Sequence, residues 1–223
     1  AVVLCVGTGN IGAALVAQLR ARGDVEVLEC SRSSAALVLD LESPASLAAL
    51  RERLPHGVDH VAVTAGASTF GPLESFDSAE KWERNLATKL GAVSSFVLRL
   101  VHGDGAPCLL RDGGSITITT GQSARTVNRM WPGLAVNNAG LDMFVRCGGL
   151  DLPRGLRLNA VSPALVTETA QRAGLPVEGT VPSGDVAAAF LPLIFGAGSG
   201  QVVEVGAQVK FESDHRAGQR EAE

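Results

Sequence analysis

Apolar and polar residues recur along the chain in two patterns that take turns. Short apolar runs bounded by Gly, Pro, Asp or Ser occupy Val2–Val6, Val25–Cys30, Val58–Val63, Ser115–Thr120, Leu156–Val161 and Gln201–Val205, with a shorter one at Leu37–Leu39. Runs of this length without strict alternation read as strands covered on both faces. Between them lie stretches with helical spacing: Ile11–Arg22, Ser43–Leu54, Ser78–Val101, Leu134–Leu150 and Gly184–Phe195. Ser43-Pro44 supplies a cap and a first-turn proline, and Trp82, Leu86, Leu90, Val93, Val97 and Leu100 fall on one broad face of the longest stretch. Strands taking turns with helices at this spacing predict an α/β fold, a single-domain Rossmann-type unit with a doubly wound parallel sheet and helices on both faces. The expected domain is 1–206. Residues 207–223, with His215, are expected to form a polar peripheral tail.

The first strand runs into Gly7-Thr8-Gly9-Asn10-Ile11-Gly12. Glycines at this spacing make a tight turn, let the backbone approach a pyrophosphate, and let the helix pack closely on the strand. The helix N-terminus then offers unpaired N–H groups to phosphate. Gly7, Gly9, Asn10, Ile11 and Gly12 are therefore candidate dinucleotide-binding residues. Just past the second strand, where such sheets read the adenosine ribose, stand Ser31, Arg32 and Ser33, with Glu29 slightly earlier. An arginine there accommodates a 2′-phosphate, so NADP(H) is expected ahead of NAD(H). Asp40, beside Leu41, is a candidate for the adenine edge or for holding a turn. Ala65 and Gly66 at the end of the fourth strand let a ligand approach the backbone.

Composition narrows the partners. A net charge of -4 with scattered arginines argues against nucleic acid. No apolar run reaches membrane-spanning length and no leader precedes the first strand, so a cytoplasmic protein acting on a small molecule is the expectation. Cys5, Cys30, Cys108 and Cys147 lack metal or redox spacing and read as small buried hydrophobes, so no metal is expected. His60 within a strand reads as a satisfied residue.

Chemistry-bearing groups converge on the C-terminal edge of the sheet. The fifth strand delivers Thr120, Gly121, Gln122 and Ser123 there, beside Gly66, while Lys89 is either a solvated helix residue or aimed at the same crevice. Residues 164–179 form a candidate substrate lid.

With Gly7–Gly12, Asp40, Ala65-Gly66, Asn159-Ala160-Val161-Ser162-Pro163 followed by Thr167, and Gly200-Gln201-Val202, the chain resembles the short-chain dehydrogenase/reductase family over roughly residues 2–206. The resemblance implies a seven-stranded Rossmann sheet, NAD(H) or NADP(H) as cofactor, a small-molecule substrate, and a homodimer or homotetramer built on the two long central helices. It also implies that Pro163, Val166 and Thr167 lie near the cofactor. The family's catalytic set departs. The protein contains no tyrosine; Leu134 stands at the tyrosine position, Asn138 at that of the lysine four residues on, and Lys89 near that of the family's asparagine. The serine position falls near Gly121, with Thr120 and Ser123 beside it. The resulting expectation is a reductase of a small carbonyl, enone or imine compound with a non-standard proton donor, Lys89, assisted by Thr120 or Ser123, with Asn138 holding a water or the ribose. Two other readings stay open: non-redox chemistry (dehydration, isomerisation or cyclisation) using Arg125, Arg129 or Glu168, and a silent cofactor-binding subunit paired with an active relative.

Overall fold

A computed structural model of the chain describes residues 1–33, 37–103 and 107–207. The strands β1 (Val2–Val6), β2 (Glu26–Ser31), β3 (Leu37–Val38), β4 (Val58–Val63), β5 (Leu110–Thr119), β6 (Arg157–Pro163) and β7 (Val202–Val205) form one sheet in the order β3-β2-β1-β4-β5-β6-β7. Every pairing is parallel. The strand order reverses between β1 and β4, and a parallel sheet opens a crevice at that switch point, outside the C-terminal strand ends. The expected fold class holds. The tail from residue 208 onward, with His215, lies outside the described residues, as does Ser34.

Alternate strand residues feed two cores. Leu4 and Val6 of β1, Val61 and Val63 of β4, and Ile116 and Ile118 of β5 meet α2 (Pro44–Arg53), α4 (Ala92–His102) and α5 (Pro132–Gly148) through Leu50, Phe96 and Leu141. Val3, Cys5 and Ala62 point the other way, onto α1 (Asn10–Arg22) and α7 (Ser183–Phe195), where Leu15, Leu19, Phe190 and Ile194 are buried. Period-two alternation within fully apolar strands is what a sheet covered on both faces requires. His60 is satisfied as expected: Nδ1 lies 2.9 Å from Ser115 Oγ, and the ring meets Phe195 edge-on.

Several boundaries differ from the sequence reading. Strand β5 begins at Leu110, ahead of the expected start at Ser115, because Arg111 donates to the His56 carbonyl and pairs with Asp59, drawing 110–114 alongside β4 across a register shift. Cys147 is exposed on α5, so only Cys5 and Cys30 behave as fully buried hydrophobes; burial pushes both thiols up to about 12. The long helix over 78–101 starts as expected, with Ser78 Oγ accepting from Lys81 N. It is interrupted, however: α3 (Ala79–Leu86) passes through a π turn over Ala87–Gly91 before α4 resumes. Such a turn inserts a residue into the helical ladder and re-aims the side chains it carries. Lys89 sits in it.

Candidate active site

The phosphate end of the crevice is built almost entirely from backbone. Gly7 has φ +108°, and a Cβ there would lie 2.7 Å from the Ala65 amide nitrogen; a Cβ on Gly12 would lie 2.0 Å from the Gly7 carbonyl oxygen. These two glycines let β1, the turn and α1 close onto β4. At Gly9, by contrast, an added Cβ would meet nothing within 4 Å, so the turn faces open space. The first helical bond runs from Ala13 N to Gly9 O, which leaves the amides of Asn10, Ile11 and Gly12 outside the ladder. The helix carries no side-chain cap and no acidic residue in its first turn. An uncapped helix end without competing carboxylates suits an anion.

Around this turn the sequence candidates fall as follows. Ser31 ends β2, and Arg32 and Ser33 are exposed just beyond it. Glu29 is drawn away, paired at 2.6 Å with Arg20 of α1. Asp40 holds a turn, its Oδ1 accepting from Glu42 N at 3.0 Å, with Leu41 inside that turn. Thr167 starts α6 (Thr167–Arg172), and its hydroxyl is engaged with that of Thr180 at 2.8 Å. The sequence reading missed Arg172, whose guanidinium donates to Asn10 Oδ1 at 3.0 Å and so reaches from α6 to the phosphate turn. Its approach depends on a contact across 162 residues of chain.

The chemical end is a cleft of about 260 Å³ bordered by Ile11, Ala65, Gly66, Lys89, Thr120, Ser123, Leu134, Asn138, Pro163 and Val166. It gathers all the proposed catalytic residues. Lys89 is 7% exposed, and its stem lies against Gly66, where a Cβ would approach Cγ to 3.2 Å. The positive φ of Gly66, +135°, and this close approach together call for glycine at 66. Among the described residues no hydrogen bond or ion pair engages the Lys89 amine. Burial lowers its pKa from 10.5 to about 8, and the Asp142 carboxylate partly offsets the shift. The crevice-facing reading of Lys89 is the one observed.

Asn138, buried on α5, donates from Nδ2 to Ser123 Oγ at 2.7 Å, which leaves the Ser123 proton free to point into the cleft. Gly121 makes room for that amide. The Thr120 hydroxyl oxygen is buried without a partner among the described residues. The π turn is anchored through Asn85, which accepts from Thr69 N at 2.9 Å, donates to the Gly133 carbonyl and accepts on its own carbonyl from Asn137 Nδ2. Asp142, one turn beyond Asn138, pairs with Arg125, which also reaches Ser162 and Glu204. Glu168 is likewise committed, to the Ser183 amide and hydroxyl at the start of α7, and the Ser183 hydroxyl holds its carboxyl below the usual range. Among the described residues none of Arg125, Arg129 and Glu168 borders the cleft.

A Rossmann-type sheet with a glycine phosphate turn and a crevice holding hydroxyl, amide and amine groups defines a dinucleotide-dependent class of protein. A family model described as enoyl-(acyl carrier protein) reductase matches residues 9–191, and the chain belongs to the short-chain dehydrogenase/reductase family. Among solved structures it is similar to the protein lin1944 from Listeria innocua, at 29% identity and a TM-score of 0.80 over 92% of this chain and 98% of that one. It is also similar to a small-chain dehydrogenase in complex with NADPH, at 28% identity and a TM-score of 0.74 over 92% and 95% of the two chains. A short chain dehydrogenase from Mycobacterium smegmatis, 23% identical over 93% and 92% with a TM-score of 0.73, shares the fold. No curated protein sequence matches the chain. The family binds a nicotinamide cofactor, and the open turn at Gly9 with its unpartnered first-turn amides fits that cofactor's pyrophosphate.

Proposed function

We propose that this protein is an NADP(H)-dependent reductase of a small carbonyl, enone or imine compound, with Lys89 as the proton donor. The observation that carries the reading is the buried, unpartnered Lys89 amine bordering the cleft, with its pKa drawn down to about 8. An acid–base group works best when its pKa lies near the operating pH, and an ordinary lysine holds its proton too tightly. The nicotinamide supplies the hydride when bound. Lys89 gives its proton to the oxygen or nitrogen that accumulates charge and takes it back from solvent. Ser123 orients that atom by a hydrogen bond, with Thr120, whose hydroxyl oxygen is buried, behind it in the wall, and Asn138 fixes the Ser123 hydroxyl and holds a water or the ribose. Pro163 and Val166 close the cleft from the β6 side. Leu134 lies across it and supplies shape but no proton.

Support for NADP(H) over NAD(H) comes from Arg32 beyond β2, flanked by Ser31 and Ser33, from the diversion of Glu29 to Arg20, and from the NADPH bound to a structural neighbour. A homodimer or homotetramer through α4 and α5 accords with the exposed Leu98, Val136 and Met143 on those helices. Among the described residues no helix is long and apolar enough to cross a membrane. The reading is tested by following NADPH and NADH oxidation against a ketone, enone and imine panel, with Lys89→Ala and Lys89→Arg alongside. Turnover that prefers NADPH and collapses in Lys89→Ala is the expected result. An unchanged rate in that variant removes Lys89 from the mechanism, and failure to bind either cofactor removes the reductase.

A further inference from the structure

A second cavity, of about 350 Å³, adjoins the Lys89 cleft. Phe70, Trp131 and Leu165 border both spaces, which places the second cavity beside the first. The rest of its wall is mainly Met130, Leu175 and Pro176. Three of these side chains are left open to solvent, Phe70 at 54%, Leu175 at 43% and Met130 at 40% exposure. Large apolar side chains gathered around one concavity are covered favourably by hydrocarbon. The polar members are Asn128, Thr180 and Glu178 at the rim. Glu178 is exposed, and among the described lining residues it is the sole ionisable group, so the cavity offers no cation to a carboxylate or phosphate and carries a charge that repels one.

From this we infer the substrate class: an uncharged, apolar carbonyl compound whose reacting group lies at Lys89 and whose hydrocarbon body fills the second cavity. The inference rests on the reductase reading for the position of the carbonyl. An apolar cavity of about 150 Å³ holds a benzene ring, so this one accommodates about a dozen non-hydrogen atoms. Leu175 and Glu178, on the segment after α6, set the specificity: Leu175 by giving apolar wall, Glu178 by excluding anions from the mouth. A substrate carrying a carboxylate or phosphate far from its carbonyl would place that charge in apolar surroundings next to a like charge, at a cost none of the lining residues offsets.

The test is calorimetric titration of the NADP⁺-loaded protein with 2-decanone, 9-oxodecanoate and 2-butanone, which needs no turnover. The expected result is 2-decanone binding at least about tenfold tighter than either of the others, since each buried methylene adds to affinity, with a negative heat-capacity change marking apolar burial. Glu178→Gln narrows the gap between 2-decanone and 9-oxodecanoate, and Leu175→Arg, at a site exposed enough to tolerate it, reverses the preference. Equal or tighter binding of 9-oxodecanoate by the unmodified protein, or no gain of 2-decanone over 2-butanone, overturns the assignment. If 2-decanone binds as described yet no carbonyl is ever reduced, the reductase reading fails while the chemistry of the cavity stands. If carbonyls are reduced without regard to length or charge, the reverse holds.

Discussion

The two ends of the crevice are made differently. At the phosphate end, β1 and the start of α1 supply nearly everything within a few consecutive residues, and the working groups are amides. At the chemical end, Lys89 comes from a π turn, Thr120 and Ser123 from beyond β5, Asn138 from α5 and Gly66 from beyond β4. Any sequence that folds the first end correctly presents the same N–H groups, so its chemistry is fixed once its glycines are. The second end depends on which side chains happen to meet, and a polar residue can move from one helix to another without disturbing the sheet. Here the amine stands on the π turn and the amide on α5, facing each other across one cleft. Binding and catalysis are thus separable in this molecule, and each can be broken without the other.

The largest expected separation comes from Lys89→Met. A positioned acid contributes typically about 10²–10⁴-fold, so the reductase rate should fall by that factor while NADPH still binds, read by cofactor fluorescence. Stability should move the other way. The folded pKa of about 8 lies below the 10.5 of a free lysine, so the unfolded chain holds the proton more tightly. Burial of the charged amine therefore destabilises the protein below pH 8, and this cost disappears as pH rises from 8 toward 10.5. At pH 7 the difference is on the order of 3 kcal/mol, and Lys89→Met should melt several degrees higher. A variant that loses rate and stability together would place Lys89 in a structural role.

Gly12→Ala breaks the other end. Its Cβ would need the space of the Gly7 carbonyl, 2.0 Å away, and the backbone there has nothing flexible to yield. Overpacking of this kind costs about 1–3 kcal/mol, and the shift falls on the amides that face the phosphates. Loss of cofactor binding, with residual activity recoverable at saturating NADPH, is the expected kinetic pattern.

This contrast also explains what the sequence makes legible. The order of strands and helices, the Ser43-Pro44 start of α2 and the glycine turn all follow from local spacing, because each is decided within about a dozen residues, whereas the partners that satisfy His60, Ser115 and Phe195, come from distant stretches. The start of β5 is decided by Arg111 meeting His56 and Asp59 across the sheet. The π turn has no local signature: nothing in Ala87-Thr88-Lys89-Leu90-Gly91 distinguishes it from an α-helix, and it is held by Asn85 and Asn137 bonding across to the loop after β4 and to α5. Arg172 and Asp142 escape sequence reading for the same reason. Each acts on a group supplied by a distant stretch of chain, Asn10 for one and Lys89 for the other.

Asp142 permits a finer cut at the chemical end. Its carboxylate raises the Lys89 pKa against the larger effect of burial. If the protonated amine is the donor, the rate of reduction falls as pH rises through about 8. Asp142→Asn removes the charge that favours the ammonium, so the falling limb should move to lower pH with no change in the plateau at acid pH. Arg125, which pairs with Asp142, is the group to watch. Asp142→Asn also leaves the Arg125 cation without that neutralising partner, which shifts the limb in the same direction, and Arg125→Gln in the same background isolates the carboxylate's own contribution.

At the phosphate end the corresponding cuts are smaller. Arg32→Ala should cost NADPH about tenfold in KM and leave NADH nearly unchanged, because a charge-assisted bond to the 2′-phosphate is worth about 1.5–3 kcal/mol and its loss is partly offset by water at an exposed site. Arg172→Ala should be smaller still. The Arg172 guanidinium is exposed and already bonded to Asn10, and an exposed charge contributes about 0.2–1 kcal/mol. A rise of roughly two- to fivefold in KM for both cofactors follows, fading as salt is raised. Equal effects on NADPH and NADH place Arg172 at the pyrophosphate they share; an effect on NADPH alone would move it to the ribose beside Arg32. An unchanged KM would reduce the Asn10 contact to a tie between α6 and the turn, leaving the phosphate end to its amides alone.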